Sequence, residues 1–262
     1  MTRPIVFLTD YGLADEFVGV CHGVIERIAP GAHVIDLTHK IARQNVLQGA
    51  VTLARSARFV NADAVFLAVV DPGVGAGRRS IAVEAASGAL LVGPDNGLLS
   101  MAWRELGGAL RAVEISSERV VLRPVSKTFH GRDVFAPAAA HLAAGFPFEE
   151  VGPEVAVGSL HAVDLPRPML TPGQVGARVV GVDGFGNVQL NVRPGDLDSV
   201  GLGQTLGVGQ RRVPRAGTFA EVARGVLAAI VDSQGFVALV VNQGNAAELL
   251  DLRVGDPVVL GE

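Results

Sequence analysis

Three turns in the N-terminal half of the chain carry side chains that can bind a ligand or transfer a proton. Asp10 lies in the first of them, directly after an apolar run at residues 5–8 where a strand is expected to end. In open α/β sheets, ligands bind beyond the carboxyl ends of the strands. A carboxylate there can accept both hydroxyls of a ribose, and the alternative is a helix cap with an Asx turn.

The second turn is a glycine-rich loop, residues 71–79, that follows a seven-residue apolar run. Its glycines resemble a phosphate cradle, but a dinucleotide fingerprint requires a helix after the loop, and residues 80–84 have a strand pattern. The Lys-Ser/Thr pair of a P-loop is also missing from the sequence here. We interpret the loop as a long connection that carries Asp71 and an arginine into a cleft. A hairpin-like turn with solvated arginines is the alternative.

His130 occupies the third turn, ahead of an alanine-rich helical segment. A strand-to-helix turn is a usual place for a general base or for a histidine that orients another group. The sequence has neither the Gly-x-Ser-x-Gly elbow of serine hydrolases nor the His-Glu-x-x-His motif of zinc proteases. We therefore expect no metal and no cofactor, and we expect His22 and His141, which lie in helical segments, to be structural.

Two glycine-containing turns in the C-terminal half carry an aromatic ring and side-chain amides. Residues 183–187 read Asp-Gly-Phe-Gly-Asn, and residues 242–247 read Asn-Gln-Gly-Asn-Ala-Ala. Small residues allow a flat ring to approach the backbone, whose N–H and C=O groups can bind the edge of an adenine. Ordinary turns between strands are the alternative.

The elements that position these turns follow from hydrophobic periodicity. Residues 17, 20, 21, 24, 25 and 28 are apolar and form one helical face, whereas the uncharged run at 64–70 is typical of a strand buried on both sides. Hydrophobic periodicity predicts alternating strands and helices along this half of the chain, which indicates an α/β domain with a mainly parallel sheet. The predicted elements are residues 5–8, 17–28, 33–37, 45–59, 64–70, 80–84, 89–93 and 98–106.

The pattern changes near three prolines, Pro166, Pro168 and Pro172, which are typical of a linker. Beyond them, short apolar runs alternate with glycines and no long helix is predicted, so we expect a smaller all-β barrel or sandwich. The predicted domains are residues 1–167 and 168–262. The predicted strands of the second domain are residues 174–182, 187–192, 225–232, 236–241 and 257–260.

Composition excludes several classes of protein. A single cysteine, Cys21, rules out a disulfide scaffold within the chain, and a net charge of −4 argues against general binding to nucleic acid. The apolar run at residues 5–8 is too short for a secretory signal, and no run reaches the roughly 18 apolar residues of a membrane helix. We expect a cytoplasmic protein with neither membrane nor nucleic-acid partners.

Six motifs in this order together resemble the S-adenosylmethionine hydrolase family, also called S-adenosylmethionine hydroxide adenosyltransferases, which is related to the adenosyl fluoride and chloride synthases. Each motif alone is weak, but the six span nearly the whole chain. They are Leu-Thr-Asp-Tyr-Gly at 8–12, Asp-Pro-Gly-Val-Gly at 71–75, Pro-Asp-Asn-Gly-Leu at 94–98, Thr-Phe-His-Gly-Arg-Asp at 128–133, Phe-Gly-Asn at 185–187 and Asn-Gln-Gly-Asn-Ala-Ala at 242–247.

The resemblance implies hydrolysis of S-adenosyl-L-methionine to adenosine and L-methionine, without a cofactor, by water that attacks C5′. It implies an N-terminal α/β domain, a C-terminal β-barrel, and a homotrimer whose active sites lie between subunits. The catalytic set of the hydrolases is an aspartate, an arginine seven residues later and a distant histidine, which correspond to Asp71, Arg78 and His130. Arg79 is the neighbouring candidate for the arginine.

The resemblance also implies a set of substrate-binding residues. It places Asp10 on the ribose, Asp15 and Asp183 near the methionine amino group, Ser233 at the methionine carboxylate, and Phe185, Asn187, Asn242 and the backbone around Ala246 at the adenine. The chain departs from the halogenating relatives at three positions. It has Gly131 in place of their halide-binding serine, Gln234 in place of an arginine, and Gln44 in place of an aromatic that covers the substrate.

Three other functions compete with hydrolysis. A calcium-dependent nucleoside hydrolase would need an aspartate at the position of Leu8, and ribose release abolished by EDTA would identify it. An adenosyl halide synthase would form a halide-dependent product. A non-catalytic nucleoside-binding trimer would bind the substrate tightly without turnover.

Overall fold

The structure is a computed structural model that describes residues 2–262. The chain divides into two compact units, of which the first ends at Asp164 and the second runs from Leu165 to Glu262. Within the described residues, no helix combines the length and the apolar composition required to cross a membrane.

The first unit alternates strands and helices, as the hydrophobic periodicity predicts. Its elements are β1 (Ile5–Thr9), α1 (Phe17–Ile28), β2 (Val34–Thr38), α2 (Val46–Ala57), β3 (Val65–Val69), β4 (Ser80–Ala85), β5 (Leu90–Pro94), α3 (Ser100–Glu105), β6 (Ala109–Glu114), a π-helical turn (Gly131–Phe135), α4 (Ala136–Ala143) and β7 (Glu154–Val155), with short 3₁₀ helices at Phe148–Glu150 and Val157–Ser159.

The strands of this unit form one sheet in the order β2-β1-β3-β5-β4-β6-β7. The pairs β2–β1, β1–β3 and β3–β5 are parallel, whereas β4, β6 and β7 continue the sheet in antiparallel pairs. The predicted α/β fold is confirmed. The prediction omitted β6, whose second and third residues are exposed, and β7, which is only two residues long.

Both faces of β1, β3 and β5 are buried, which explains their unbroken apolar sequences, whereas the edge strand β2 is only partly buried. Along β1, Ile5 and Phe7 pack with the core beneath α1 and α4, and Val6 and Leu8 pack with the core beneath α2 and α3. The alternation arises because successive side chains of a strand point to opposite faces. The sheet therefore holds the carboxyl ends of β1 and β3 rigidly next to each other.

The second unit consists mainly of short antiparallel strands. Its elements are β8 (Met169–Thr171), β9 (Gln174–Val182), β10 (Val188–Leu190), α5 (Pro194–Ser199), β11 (Thr205–Val208), β12 (Arg211–Pro214), a 3₁₀ helix (Phe219–Glu221), β13 (Leu227–Val231), β14 (Val237–Val241), α6 (Ala246–Leu250) and β15 (Pro257–Gly261).

These strands form a second sheet in the order β12-β11-β15-β9-β10-β14-β13, with β8 paired to β9. An isolated bridge between Arg215 and Ala229 joins the two outermost strands, so that the sheet closes almost completely into a barrel. The predicted C-terminal barrel is confirmed. Its hairpin β11–β12 was not predicted, since β12 begins with two exposed arginines, Arg211 and Arg212.

Candidate active site

A cleft of about 740 Å³ opens in the first unit next to the carboxyl ends of β1 and β3. We call it the N-terminal cleft. Its volume lies within the range of small-molecule sites, roughly 300–1,000 Å³. Its lining includes the predicted residues Asp10, Asp15, Asp71 and His130, together with Tyr11, Glu16, Phe17, Val20, Arg43, Gln44, Val69, Val74, Ser126, Thr128, Phe129, Gly131 and Arg132.

Asp71 and Arg78 form a buried ion pair at the inner wall of this cleft. The Arg78 Nε donates to both carboxylate oxygens of Asp71, at 3.0 and 3.1 Å, and its Nη2 donates to the Asp71 Oδ2. The Asp71 side chain is 7% exposed and the Arg78 side chain is 12% exposed. The alternative interpretation of this loop, a hairpin with solvated arginines, is therefore wrong, and β4 does not pair with β3.

Arg78 also fixes the orientation of His130. The Arg78 Nη2 lies 2.9 Å from the His130 Nδ1, its Nη1 donates to the Ser80 hydroxyl at 2.8 Å, and its guanidinium stacks over the Phe135 ring. A guanidinium can only donate hydrogen bonds, so the His130 Nδ1 must accept and the ring proton lies on Nε2. Arg78 itself does not line the cleft, whereas the two residues that it joins do.

His130 is held neutral by its surroundings. Burial of the ring and the nearby Arg78 cation lower the pKa of His130 from its usual value of 6.5, against a smaller opposing effect of the Asp71 and Asp133 carboxylates. His130 directly precedes the π-helical turn Gly131–Phe135, which directs the chain into α4. A neutral imidazole with its proton on Nε2 can donate one hydrogen bond toward the cleft.

Arg79, the neighbouring candidate, binds a different set of partners. Its Nε donates to the Asp95 Oδ2 at 2.8 Å, and its Nη1 and Nη2 donate to the hydroxyl and carbonyl of Ser159 at 3.0 and 2.6 Å. Asp95 also accepts the His161 N–H at 2.8 Å. Arg79 thus fastens two loops of the first unit, and the structure brings Arg78 alone to Asp71 and His130.

The motif at residues 94–98, to which the sequence assigned no role, supports the loop that carries Asp71. The Asn96 side chain donates to the backbone carbonyl of Val70 at 2.9 Å, immediately before Asp71. The fully buried Asp95 holds Arg79 at the other end of the same loop. Sequence reasoning missed these positioning roles because Asn96 and Val70 lie on different strand ends that meet only in the folded sheet.

Asp10 and Asp15 lie in the same cleft as Asp71. The Asp10 Oδ2 accepts the N–H of Gln44 at 2.8 Å, and Gln44 has a positive φ of 64°. Asp10 does not cap α1, because the residue before that helix is Glu16 and its side chain makes no capping hydrogen bond. Asp15 is exposed and precedes α1, which begins at Phe17. The helix-cap interpretation of Asp10 is therefore wrong.

The Tyr11 hydroxyl lies directly against Gly131 in the lining of the cleft, a contact that could not be predicted from the sequence. The Tyr11 ring packs edge-on against Phe17 and Phe129, each with a centroid distance of 5.8 Å. A Cβ added at Gly131 would lie 1.9 Å from the Tyr11 Oη. Burial raises the pKa of Tyr11 well above its usual value, so its hydroxyl stays protonated. Position 131 is thus closed to larger side chains.

All but one of the remaining predicted residues line two cavities of the second unit. The first, of about 340 Å³, includes Asp183, Asn187 and Ser233, and we call it the Ser233 cavity. The second, of about 410 Å³, includes Phe185, Asn187 and Asn242, and we call it the Asn242 cavity. The two share Asn187 and Phe219 as common wall residues.

Local hydrogen bonds shape the loops around these cavities. Asp183 accepts the N–H groups of Phe185 and Asn187 at 2.9 Å and the Asn187 side-chain amide at 2.7 Å. This network holds the Phe185 ring out in solvent, where it is 81% exposed. Ala246 is buried, lines neither cavity, and begins α6. The next N–H, that of Ala247, binds the carbonyl of Gly186 and joins the two motifs.

Comparison with known proteins gives concordant matches over nearly the whole chain. Residues 5–152 match the SAM hydroxide adenosyltransferase N-terminal domain, and residues 177–259 match the corresponding C-terminal domain. An (R)-S-adenosyl-L-methionine hydrolase from Salinispora arenicola is 50% identical over 257 residues, which cover 97% of this chain and 96% of that protein. A fluorinase from Nocardia brasiliensis is 31% identical over 97% of this chain and 95% of its own length.

A solved structure shares the fold as well as the sequence. The crystal structure of an uncharacterized conserved protein from Thermotoga maritima superposes with a TM-score of 0.88 at 35% identity. The match covers 98% of this chain and all of that chain. The fold described above is therefore that of a solved relative along its full length.

Proposed function

The chain belongs to the SAM hydroxide adenosyltransferase family, and on that premise we propose that Asp71, Arg78 and His130 catalyse hydrolysis of S-adenosyl-L-methionine. The chain is a hydrolase that converts this substrate into adenosine and L-methionine. One observation carries the catalytic assignment: Arg78 bridges Asp71 and His130, and both of these line the N-terminal cleft.

The substrate determines what the enzyme must supply. The sulfonium leaves as a neutral thioether, so departure removes a charge and needs no general acid. Water attacks C5′, the C5′–S bond breaks with its electron pair on sulfur, and one proton is released. The protein therefore has to align a water opposite the sulfur and accept its proton. Alignment of a reactant in a dry site supplies a large part of such a rate enhancement.

We assign these tasks to the two residues that face the cleft. The Asp71 carboxylate accepts the proton of the attacking water, and the Nε2–H of His130 donates to the water oxygen and fixes its direction. Arg78 fixes the positions of both side chains through its hydrogen bonds, and its positive charge stabilises the hydroxide that develops between them. General-base assistance of this kind contributes roughly 10²–10⁴-fold.

Four carboxylates and two arginines, Arg43 and Arg132, line the N-terminal cleft, so its charge is negative on balance and suits a cationic substrate. Asp10 and Asp15 line the same cleft as Asp71, and with Glu16 they supply carboxylates for the ribose hydroxyls and for the methionine amino group. The remaining assignments rest on the family pattern. They place Phe185, Asn187, Asn242 and Ala246 at the adenine, and Asp183 and Ser233 at the methionine moiety.

We further propose a homotrimer in which the N-terminal cleft of one subunit is completed by the Ser233 and Asn242 cavities of its neighbour. Mixing two inactive variants tests this arrangement. Asp71→Asn and Phe185→Ala subunits, combined before assembly, regain part of the wild-type activity because some sites then contain no substitution. A mixture that is no more active than either variant alone would contradict the proposed intersubunit site.

Cytoplasmic location and the absence of nucleic-acid partners stay predictions from the sequence.

The reaction itself is tested by incubation with S-adenosyl-L-methionine and chromatography of the products. We expect adenosine and L-methionine in equal amounts, and we expect turnover to persist in EDTA because none of the proposed catalytic residues binds a metal. Both sulfonium epimers should be supplied, because the Salinispora relative is named for the (R) form. Ribose release that EDTA abolishes would point to a nucleoside hydrolase, and tight binding without products would point to a binding protein.

The state of His130 gives a prediction of pH dependence. The pKa of His130 is lowered from 6.5, so the ring becomes protonated only at a pH below that value. The loss of kcat/KM on the acidic side should therefore occur below pH 6.5. The free energy of unfolding should also decrease as the pH falls below 6.5. His130 binds a proton more readily in the unfolded chain than in the folded one, so protonation favours unfolding. NMR of the imidazole nitrogens measures both the pKa and the tautomer. A proton on Nδ1 would contradict the assignment.

The contact between Gly131 and Tyr11 gives a prediction that bears on halide synthesis, the activity named for the fluorinase relatives. Gly131→Ser should lower turnover at least about 10-fold without creating a halide product, because the new side chain meets the Tyr11 hydroxyl. Adding Tyr11→Phe removes the atom at 1.9 Å and should restore part of the activity. Chloride-dependent product from the single variant would contradict this prediction, and the same product from the wild type would favour the halide synthase alternative.

A further inference from the structure

Two histidines and an aspartate converge on the α1 side of the sheet, outside the N-terminal cleft. His22 lies on α1, Asp36 on β2 and His39 just after β2, and we call them the His22–Asp36–His39 cluster. The Asp36 Oδ1 is 3.0 Å from the His22 Nε2, with which it forms a hydrogen bond, and 3.1 Å from the His39 Nε2. One ligand atom from each residue lies within 4.8 Å of the others, so the three can share one ion.

His39 has a buried ring nitrogen that lacks a hydrogen bond. Its side chain is 3% exposed, its Nδ1 lies 2.9 Å from the Thr9 hydroxyl, and its ring packs edge-on against Phe7 at 4.8 Å. Among the described residues, no group makes a well-directed hydrogen bond to the His39 Nε2, although Asp36 is only 3.1 Å away. Buried polar atoms are almost always paired, so this nitrogen requires an explanation.

We propose that the His22–Asp36–His39 cluster binds one divalent transition-metal ion of the zinc class. Nitrogens and oxygens about 2.0–2.1 Å from such an ion lie about 3.0–3.4 Å from one another, which matches the two Asp36 distances. Two nitrogen atoms and one oxygen favour zinc, cobalt or nickel over magnesium or calcium. An ion between them also explains why the His39 Nε2 lies beside the Asp36 oxygen without pointing at it.

The second nitrogen of His39 is supported in the way that metal-bound histidines usually are. An Nδ1–H donated to the Thr9 hydroxyl leaves the Nε2 lone pair for the metal, and outer partners of this kind orient the ligand ring. The side chains of His22 and Asp36 are 35% and 43% exposed, which leaves room for water to complete the coordination. The ion would thus be bound from one buried and two accessible side chains.

The position of the cluster indicates a structural ion. It joins α1 to β2 and to the segment after β2, whose His39 carbonyl accepts the N–H of Gly12 at 2.7 Å. Thr9, which holds the His39 ring, precedes Asp10 and accepts the N–H of Tyr11. A bound ion would therefore stiffen the turn that carries Asp10. This proposal does not rest on the proposed function, because none of its ligands lines the N-terminal cleft.

Metal binding to the full-length protein tests the proposal. The protein is first dialysed against a chelator to remove bound metal. Titration with zinc in competition with a chromophoric chelator then measures zinc affinity, and titration with cobalt gives the visible absorption spectrum of the bound ion. We expect one zinc per chain and a cobalt spectrum of a nitrogen- and oxygen-ligated ion. His22→Gln should weaken zinc binding at least about 100-fold, because loss of an outer partner alone typically costs 10–100-fold. His33→Gln, a substitution of an exposed histidine outside the cluster, should leave zinc binding unchanged.

Melting curves keep the test independent of folding defects. His22 is partly exposed on a helix, so metal-free His22→Gln should unfold at nearly the same temperature as the metal-free wild type. Saturating zinc should raise the melting temperature of the wild type and of His33→Gln, and leave that of His22→Gln unchanged. Equal zinc affinity in the wild type and His22→Gln would overturn the proposal, as would equal loss of binding in His33→Gln or no binding to the wild type.

Discussion

Asp71→Asn is expected to lower kcat at least about 100-fold and to change the dissociation constant for S-adenosyl-L-methionine little. Asparagine has nearly the same size and can still meet the Arg78 guanidinium, but its side-chain amide accepts a proton from water far less readily than a carboxylate. The lost general-base contribution is roughly 10²–10⁴-fold. Binding should survive, because the substrate contacts assigned to the N-terminal cleft belong to Asp10 and Asp15.

The design of this experiment separates chemistry from folding. Product formation is followed by chromatography, substrate binding by calorimetry, and the folded fraction by circular dichroism. Asp164→Asn is the matched control, because Asp164 is an exposed partner of Arg104 in the same unit. It should retain wild-type kcat. Wild-type turnover by Asp71→Asn would remove Asp71 from the mechanism.

Arg78→Met is expected to have the second large effect, on both activity and stability. It leaves the Asp71 carboxylate buried without its cation and removes the donor that orients the His130 ring. Removal of one partner of a buried ion pair typically costs about 3–5 kcal/mol of unfolding free energy. We expect kcat per folded molecule to fall about 100-fold or more, because the water loses its alignment and the developing hydroxide loses a stabilising charge.

Arg79→Met is the matched control one residue away. It also unpairs a buried carboxylate, that of Asp95, although the N–H of His161 still binds Asp95. Stability should therefore fall in both variants, whereas kcat per folded molecule should fall only in Arg78→Met. The pKa of His130 gives an independent readout: it should rise in Arg78→Met, because the Arg78 charge lowers it in the wild type, and stay unchanged in Arg79→Met. The opposite pattern would assign the catalytic role to Arg79.

The choice between these two arginines shows what the sequence could and could not predict. Both lie at the end of the same glycine-rich loop, so composition alone does not distinguish them. In extended chain, successive side chains point to opposite sides, and the structure directs Arg78 toward Asp71 and Arg79 toward Asp95. The family pattern selected Arg78 through a spacing of seven residues, and only the folded chain gives the physical reason.

Elements were predictable where one face or both faces of a segment are apolar. The helix at Phe17–Ile28 and the buried strand at Val65–Val69 have these patterns, and their predicted bounds agree with the structure within one residue. Contacts between distant segments were not predictable. Tyr11 meets Gly131 across 120 residues, and His22 reaches His39 because α1 packs on the sheet. The sequence therefore indicated structural roles for His22 and gave no sign of a metal site.

In the proposed mechanism, a water molecule held by Asp71 and His130 attacks C5′ of the substrate. Turnover of S-adenosyl-L-methionine in H₂¹⁸O, followed by mass spectrometry of the adenosine and its fragments, tests it directly. We expect one ¹⁸O atom per adenosine, at the 5′ oxygen, and unlabelled L-methionine. Adenosine without label, or label found on any other atom of the products, would contradict direct attack of water at C5′.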